Sequence, residues 1–289
     1  MQLRTLRAFV LLTLCVLPAC AHAPPRGGDV ASLDSVKRWW ILIGSSPALD
    51  AIDWRKQSAD TQMAVLAGDP RIPLSDLPRN AIRLAYLSIG EADPRRDYWN
   101  EVRGAPFLIE PNPSWPENVR VDLRDPQWQA VLLDQEIPRL LAMGFDGLML
   151  DTIDTAPYLQ AKDGVRFGGM RDALRELVRA IRQKFPHAPL IANGTEALVD
   201  AAPFVDGYVV EGVFATYDFG RRLYRQTTAE ERTWKLAQID QALAVARRPV
   251  FTIEYADVGD AALSGWAAGE AERHGFRPYV TVKDLNMLP

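Results

Sequence analysis

Eight short apolar runs, each separated from the next by a helical or irregular stretch, constrain this chain more than any other feature. They occupy 39–43, 63–66, 82–89, 147–150, 189–192, 207–210, 250–253 and 278–282. Near-continuous apolar runs of this kind mark strands buried on both faces, the condition of a parallel sheet covered by helices. Helical periodicity fills 127–143, 170–185, 230–246 and 262–274 between them. Asp125-Pro126 opens the first of these with a cap and an N1 proline, and Gly144 closes it, as Gly275 closes the last. Strands alternating with helical crossovers over roughly 250 residues predict an α/β fold of the (β/α)8 TIM-barrel type. A doubly wound open sheet is the competing arrangement. The stretch 100–123 carries Pro106, Pro111, Pro113, Trp115 and Pro116. It is long for a plain connection and reads as a functional loop over one barrel end.

The N-terminus reads as a targeting segment. Arg4 and Arg7 precede an apolar run over 8–17, too short to span a bilayer and of the length of a secretory signal peptide. Leu17-Pro18-Ala19-Cys20 has the form of a lipobox, in which cleavage exposes a cysteine for lipid attachment. The competing site, Ala21-His22-Ala23, is followed by an unfavourable Pro24. The expectation is a signal peptide over 1–19, lipidation at Cys20, and a flexible tether over 20–35 containing Pro24, Pro25, Gly27 and Gly28. The barrel would fill 36–289. The protein would be an exported monomer, a bacterial lipoprotein touching the membrane only through that anchor, or otherwise secreted.

Charge and composition then narrow the chemistry. Lys plus Arg number 33 against 37 Asp plus Glu, a net charge of -4, so no basic excess exists to neutralise a nucleic acid. Cys15 and Cys20 are the two cysteines, both ahead of the expected domain. That leaves it no disulfide, thiolate zinc site or thiol nucleophile. Of the three histidines, His187 falls in a loop and His274 at a helix end, which leaves a Ser-His-Asp hydrolase poorly supported. Neither GxGxxG after a strand nor a P-loop is present. No cofactor and no metal is expected, and carboxylates must carry any catalysis.

Two runs share a pattern: Asp146-Gly147, three apolar residues, then Asp151; and Asp206-Gly207, three apolar residues, then Glu211. In a parallel barrel the C-terminal strand ends form the active face. Asp151 and Glu211 should therefore stand at the mouth, with Asp146 and Asp206 in structural turns at the other end. Glu91, Asp154, Asn193 and Tyr255 also fall at or just past strand ends. Several acids at one mouth are costly unless used. Paired carboxylates suit glycosidic cleavage, one protonated to donate to the leaving oxygen and one ionised to attack or to activate water. Aromatic residues that could face a sugar include Trp39, Tyr86, Trp115, Tyr158, Tyr217 and Tyr255.

Three stretches together resemble glycoside hydrolase family 114, the endo-α-1,4-polygalactosaminidase family. They are Tyr86 to Ala92, Gly144 through Asp154, and Asp206 through Gly212, and the resemblance runs from about Arg38 to Leu285. It implies a (β/α)8 barrel that hydrolyses α-1,4-linked galactosamine polymers with retention and without a metal. The family's catalytic pair would correspond to Asp151, as nucleophile, and Glu211, as acid/base. Glu91, Asp154, Asn193, Tyr255, Tyr86, Trp39 and Trp115 would bind the sugar or tune the pair. One departure is Leu66-Ala67-Gly68-Asp69, where the acid ending the second strand is delayed, so Asp69 receives no role. Two other readings compete: a non-catalytic carbohydrate-binding lipoprotein on the same barrel, and a Mg²⁺-dependent phosphodiesterase using the acids as oxygen ligands. The scarcity of Lys and His near the motifs disfavours the last.

Overall fold

The computed structural model describes residues 32–287 apart from 45, 47, 48, 50, 51, 70 and 71. The expected leader, Cys20 and most of the expected tether lie outside the described residues. The eight apolar runs are the eight strands of one parallel sheet. They are β1 (Trp39–Leu42), β2 (Met63–Leu66), β3 (Ile82–Ser88), β4 (Gly147–Asp151), β5 (Leu190–Asn193), β6 (Gly207–Glu211), β7 (Val250–Tyr255) and β8 (Arg277–Thr281). Each pairs in register with the next in chain order, from β1 to β8. The ring is drawn together between β8 and β1 by the Trp39 indole N–H, 3.0 Å from the Arg277 carbonyl, and by the Ile43 and Gly44 amides on the Leu285 carbonyl. This is a (β/α)8 barrel.

Strand starts are aligned by side chains. The Gln62 amide oxygen accepts from the Lys37 and Arg38 amides at 2.7 and 2.9 Å, tying the approach to β1 to that of β2. Asp146 accepts from the Arg83 amide of β3 at 2.9 Å. Asp206 does the same for Leu190 of β5 at 2.9 Å and also holds the Arg182 guanidinium. Each Asp-Gly thus fixes the register of a neighbouring strand, so the acid at the far end of its own strand arrives at a defined height.

Trp39 does not reach the mouth. It is the first residue of β1, buried, with its ring against Phe251 and Tyr279 at centroid distances of 5.2 and 5.8 Å. These rings fill the barrel floor, at the end opposite the acids. The expectation of a sugar contact at Trp39 is corrected accordingly: its large apolar ring is worth most in the core, where its one N–H has a partner.

The helices follow their patterns. In Met170–Lys184 the buried Met170, Leu174, Leu177, Val178 and Ile181 form one stripe at three- and four-residue spacing, with charged residues opposite. The expected helix over 127–143 runs from Pro126 to Ala142 with a π turn at Val131–Glu136. Pro138 supplies the reason, since it has no amide to donate and its ring crowds the preceding turn, so the helix widens ahead of it. No helix among the described residues is long and apolar enough to cross a membrane.

The stretch 100–123 is more ordered than a loop. After the short helix Trp99–Val102 it forms an antiparallel hairpin, Leu108–Asn112 with Trp115–Val121, whose second strand also pairs with Glu91–Ala92. Its prolines hid the strands, but Pro111 lies on the edge strand and Pro116 near the tip, where a missing donor is tolerated. A second hairpin, Ala215–Asp218 with Leu223–Gln226, follows β6. Both rise from the C-terminal strand ends.

Candidate active site

Five side chains on five consecutive strands form one hydrogen-bonded arc at the C-terminal rim. Tyr86 of β3 donates its hydroxyl to Asp151 Oδ2 of β4. Asn193 of β5 donates through Nδ2 to Asp151 Oδ1 at 2.8 Å and to Glu211 Oε1 of β6 at 2.6 Å. Tyr255 of β7 donates to Glu211 Oε2. Strand alternation puts all five in the barrel interior. The two acids do not face one another across the whole mouth. They flank the single strand between them and share its amide.

The arc is polarised by burial. Asp151 and Glu211 keep some contact with solvent, yet protein surrounds Asp151 closely enough that burial is the largest cause pushing it up to about 7, with the charge of Glu211 second. Donors from Tyr86, Thr152 and Asn193 oppose the rise. Asp151 is therefore partly protonated near neutrality. Burial first and the adjoining carboxylate second raise Tyr86 and Tyr255 well above the ordinary phenol range, so both stay neutral donors.

The strand ends carrying the acids turn in the same way. The residue after each has positive φ: Thr152 at 60° and Gly212 at 57°. For a β-branched residue this conformation costs about 1–2 kcal/mol. The Thr152 hydroxyl offsets part of that cost by donating to the Asp151 carbonyl at 2.6 Å and accepting from the Gly90 amide at 2.8 Å. Gly90 must be glycine, since a Cβ there would lie 2.2 Å from the Thr152 carbonyl oxygen. Behind β6, Lys235 donates to the carbonyls of Glu211 and Gly212 at 2.7 and 2.8 Å. Glu254, on the outer face of β7 and pushed up to about 7 by burial, accepts from the Phe214 and Ala215 amides.

The other expected site residues divide. Tyr86, Asn193 and Tyr255 stand in the arc. Asp154 accepts from the Thr195 and Ala197 amides at 2.7 and 2.8 Å, bracing the loop after β5 against that after β4. Glu91 is buried under the first hairpin, accepting from Asn112 at 2.8 Å with Arg120 3.8 Å away. Both act on loops rather than in the arc. Trp115 is exposed at the tip of the first hairpin. Asp69 meets Arg96 at the surface. Thr152 and Lys235 were not singled out by sequence. A threonine after a strand-end acid and a lysine on a helix carry no pattern of their own, because the Gly90 amide and the Glu211 and Gly212 carbonyls reach them only through folding. Among the described residues no three of His, Cys, Asp and Glu are grouped to hold a metal ion.

Paired acids at the strand ends of a parallel barrel define a glycosidase type of site. The chain belongs to glycoside-hydrolase family GH114, whose model matches residues 54–288. A Deinococcus radiodurans protein is 33% identical over 208 residues, covering 71% of this chain and 65% of that protein. A Thermotoga maritima protein is 26% identical over 226 residues, covering 71% of this chain and 67% of that one. The chain thus spans about two thirds of these relatives' length. The glycoside hydrolase domain of PelA from Pseudomonas aeruginosa shares the fold, with a TM-score of 0.73 at 23% identity over 88% of this chain and 97% of that one. So does Aspergillus fumigatus Ega3 in complex with galactosamine, with a TM-score of 0.62 at 15% identity over 89% and 94%.

Burial opposes ionisation of Asp151, and that fixes the sign of a stability effect. The penalty is absent below about pH 4, grows as pH rises towards 7 and is complete above it. Asp151→Asn should therefore leave stability nearly unchanged at pH 4 and raise it by roughly 1–4 kcal/mol at pH 8. Urea unfolding of both proteins at the two pH values measures this, and an equal difference at both would contradict it.

Proposed function

We propose that this protein cleaves α-1,4-linked galactosamine or N-acetylgalactosamine polysaccharide with retention of anomeric configuration. The observation that carries the reading is the Asn193 bridge. One amide nitrogen within 2.8 Å of both carboxylates keeps the bonded oxygens within about 5.5 Å of each other. That upper bound falls short of the roughly 6.5–9.5 Å that leaves room for an inverting water, which supports the retaining arrangement.

In this reading Asp151 attacks the anomeric carbon while Glu211 protonates the departing glycosidic oxygen. Glu211 then takes a proton from the water that releases the sugar from Asp151. The first step needs an ionised Asp151 and a protonated Glu211, and a sugar carbon gaining positive charge beside Asp151 favours its anion. Asn193, Tyr86 and Tyr255 hold both groups in line without giving up protons.

Two considerations support an amino-sugar substrate: two carboxyl groups stand side by side in the arc, where a cationic, partly deacetylated polymer would find acceptors, and the Ega3 structure was captured with galactosamine.

The lipobox reading extends to location: Cys20 would tether the enzyme to a membrane outside the cytoplasm. Cys20→Ala should shift the protein from the membrane to the soluble fraction, and unchanged fractionation would remove lipidation as the anchor. For the chemistry, Asp151→Asn and Glu211→Gln should each lower turnover of partly deacetylated α-1,4-galactosamine polymer by at least about 10²–10⁴-fold while circular dichroism stays native. Turnover within a few-fold of the unaltered protein in either variant would take that residue out of the mechanism.

A further inference from the structure

A cavity of about 410 Å³ opens between the second hairpin and the helix Ala229–Val245. That is within the range of small-ligand sites. Trp234, Tyr217 and Phe219 give it aromatic walls, and Thr216, Asp218 and Arg225 give it polar ones. Trp234 and Phe219 are about half exposed, at 47% and 52%. Large rings left open beside a cavity lose burial energy that the fold does not recover elsewhere.

Aromatic contacts join the cavity to the first hairpin. Phe219 sits edge-on to Tyr217 at 5.1 Å and to Trp115, at the tip of the first hairpin, at 6.5 Å. The first hairpin follows β3 and rests on the helix after β4, where the Arg120 guanidinium lies 3.9 Å from the Tyr158 ring centroid and Lys162 pairs with Glu110. The second hairpin follows β6. The Trp115–Phe219 contact therefore joins the loops that follow β3 and β6, the strands flanking those that hold Asp151 and Asn193. Lys235 closes the connection, because it lines the cavity while its ammonium holds the Glu211 and Gly212 carbonyls.

The polar wall is preorganised. Arg225 clasps Glu231 through both terminal nitrogens at 2.7 and 2.8 Å and reaches Asp218 at 3.2 Å. The Arg221 amide and Arg225 hold Asp218 below the usual carboxylate range, so it is an anion at any working pH. Ring faces beside a fixed anion and a threonine hydroxyl suit a pyranose, whose C–H face stacks while its edge hydroxyls or amine find acceptors.

We infer that this cavity is a remote subsite of the polysaccharide, holding a sugar residue of the chain several units from the bond that is cut. The inference rests on the proposed glycosidase reading and adds a residue-level determinant to it: Trp234 selects for long chains.

The test compares a partly deacetylated α-1,4-galactosamine polymer with a short chromogenic α-galactosaminide, using the full chain. Trp234→Ala should lower kcat/KM on the polymer about tenfold more than on the short substrate, mainly through KM. Trp234→Phe, which keeps a ring, should restore most of the difference. Calorimetry with Glu211→Gln, which binds without turnover, should show polymer affinity falling by a similar factor when Trp234→Ala is added. Equal effects on both substrates, or no effect on either, would overturn the remote subsite while leaving the glycosidase reading intact. Failure of the unaltered protein to bind or cleave either amino-sugar substrate would overturn both.

Discussion

One amide group, that of Asn193, holds two carboxylates that would otherwise repel each other. Gathering two acids at the rim of a barrel costs desolvation and like-charge repulsion, which the fold must offset with donors placed in advance. Asn193 gives one hydrogen to each, and Tyr86 and Tyr255 satisfy the outer oxygens. The arc works only if β3 through β7 keep their inward faces in register. A slip of one residue in any of the five would turn a member out of the barrel. The Asp146 and Asp206 clamps at the strand starts therefore bear on the chemistry from the opposite end of the molecule.

A second layer fixes the arc from outside. The left-handed residues Thr152 and Gly212 swing the chain away just after each acid. Lys235 ties down the carbonyls at the end of β6, Asp154 braces the loop after Asn193, and Glu254 holds the start of the second hairpin. Most of these contacts are between side chains and backbone, so they set the direction of the main chain without occupying the mouth. That division leaves the inner face of the arc to the substrate and places charge-bearing supports where they strengthen rather than compete.

The sequence made the barrel and its paired acids legible for a physical reason. Buried parallel strands are continuous apolar runs, and the active face begins where each run ends, so Asp151, Asn193, Glu211 and Tyr255 could be placed by counting along strands. Tyr86 was reached through the motif resemblance and its aromatic character. The hairpins were less legible: prolines in 108–121 argued against strands, and the alternation in 215–226 is only four residues on each side of its turn. Trp39 was misplaced because an aromatic at either end of a strand looks alike until the direction of the barrel is applied to it. Thr152 and Lys235 stayed hidden because their roles depend on a backbone angle and on carbonyls brought near only by folding.

In the proposed reaction the Asn193-bridged pair acts as nucleophile and acid/base on a single sugar. Proton NMR of the first product formed from an α-linked oligogalactosamine reads this directly, before mutarotation mixes the anomers. An initial α-anomer is expected, the outcome of two successive displacements through Asp151. An initial β-anomer would mean one displacement by water, and the bridged pair would then not be the retaining machinery described for it.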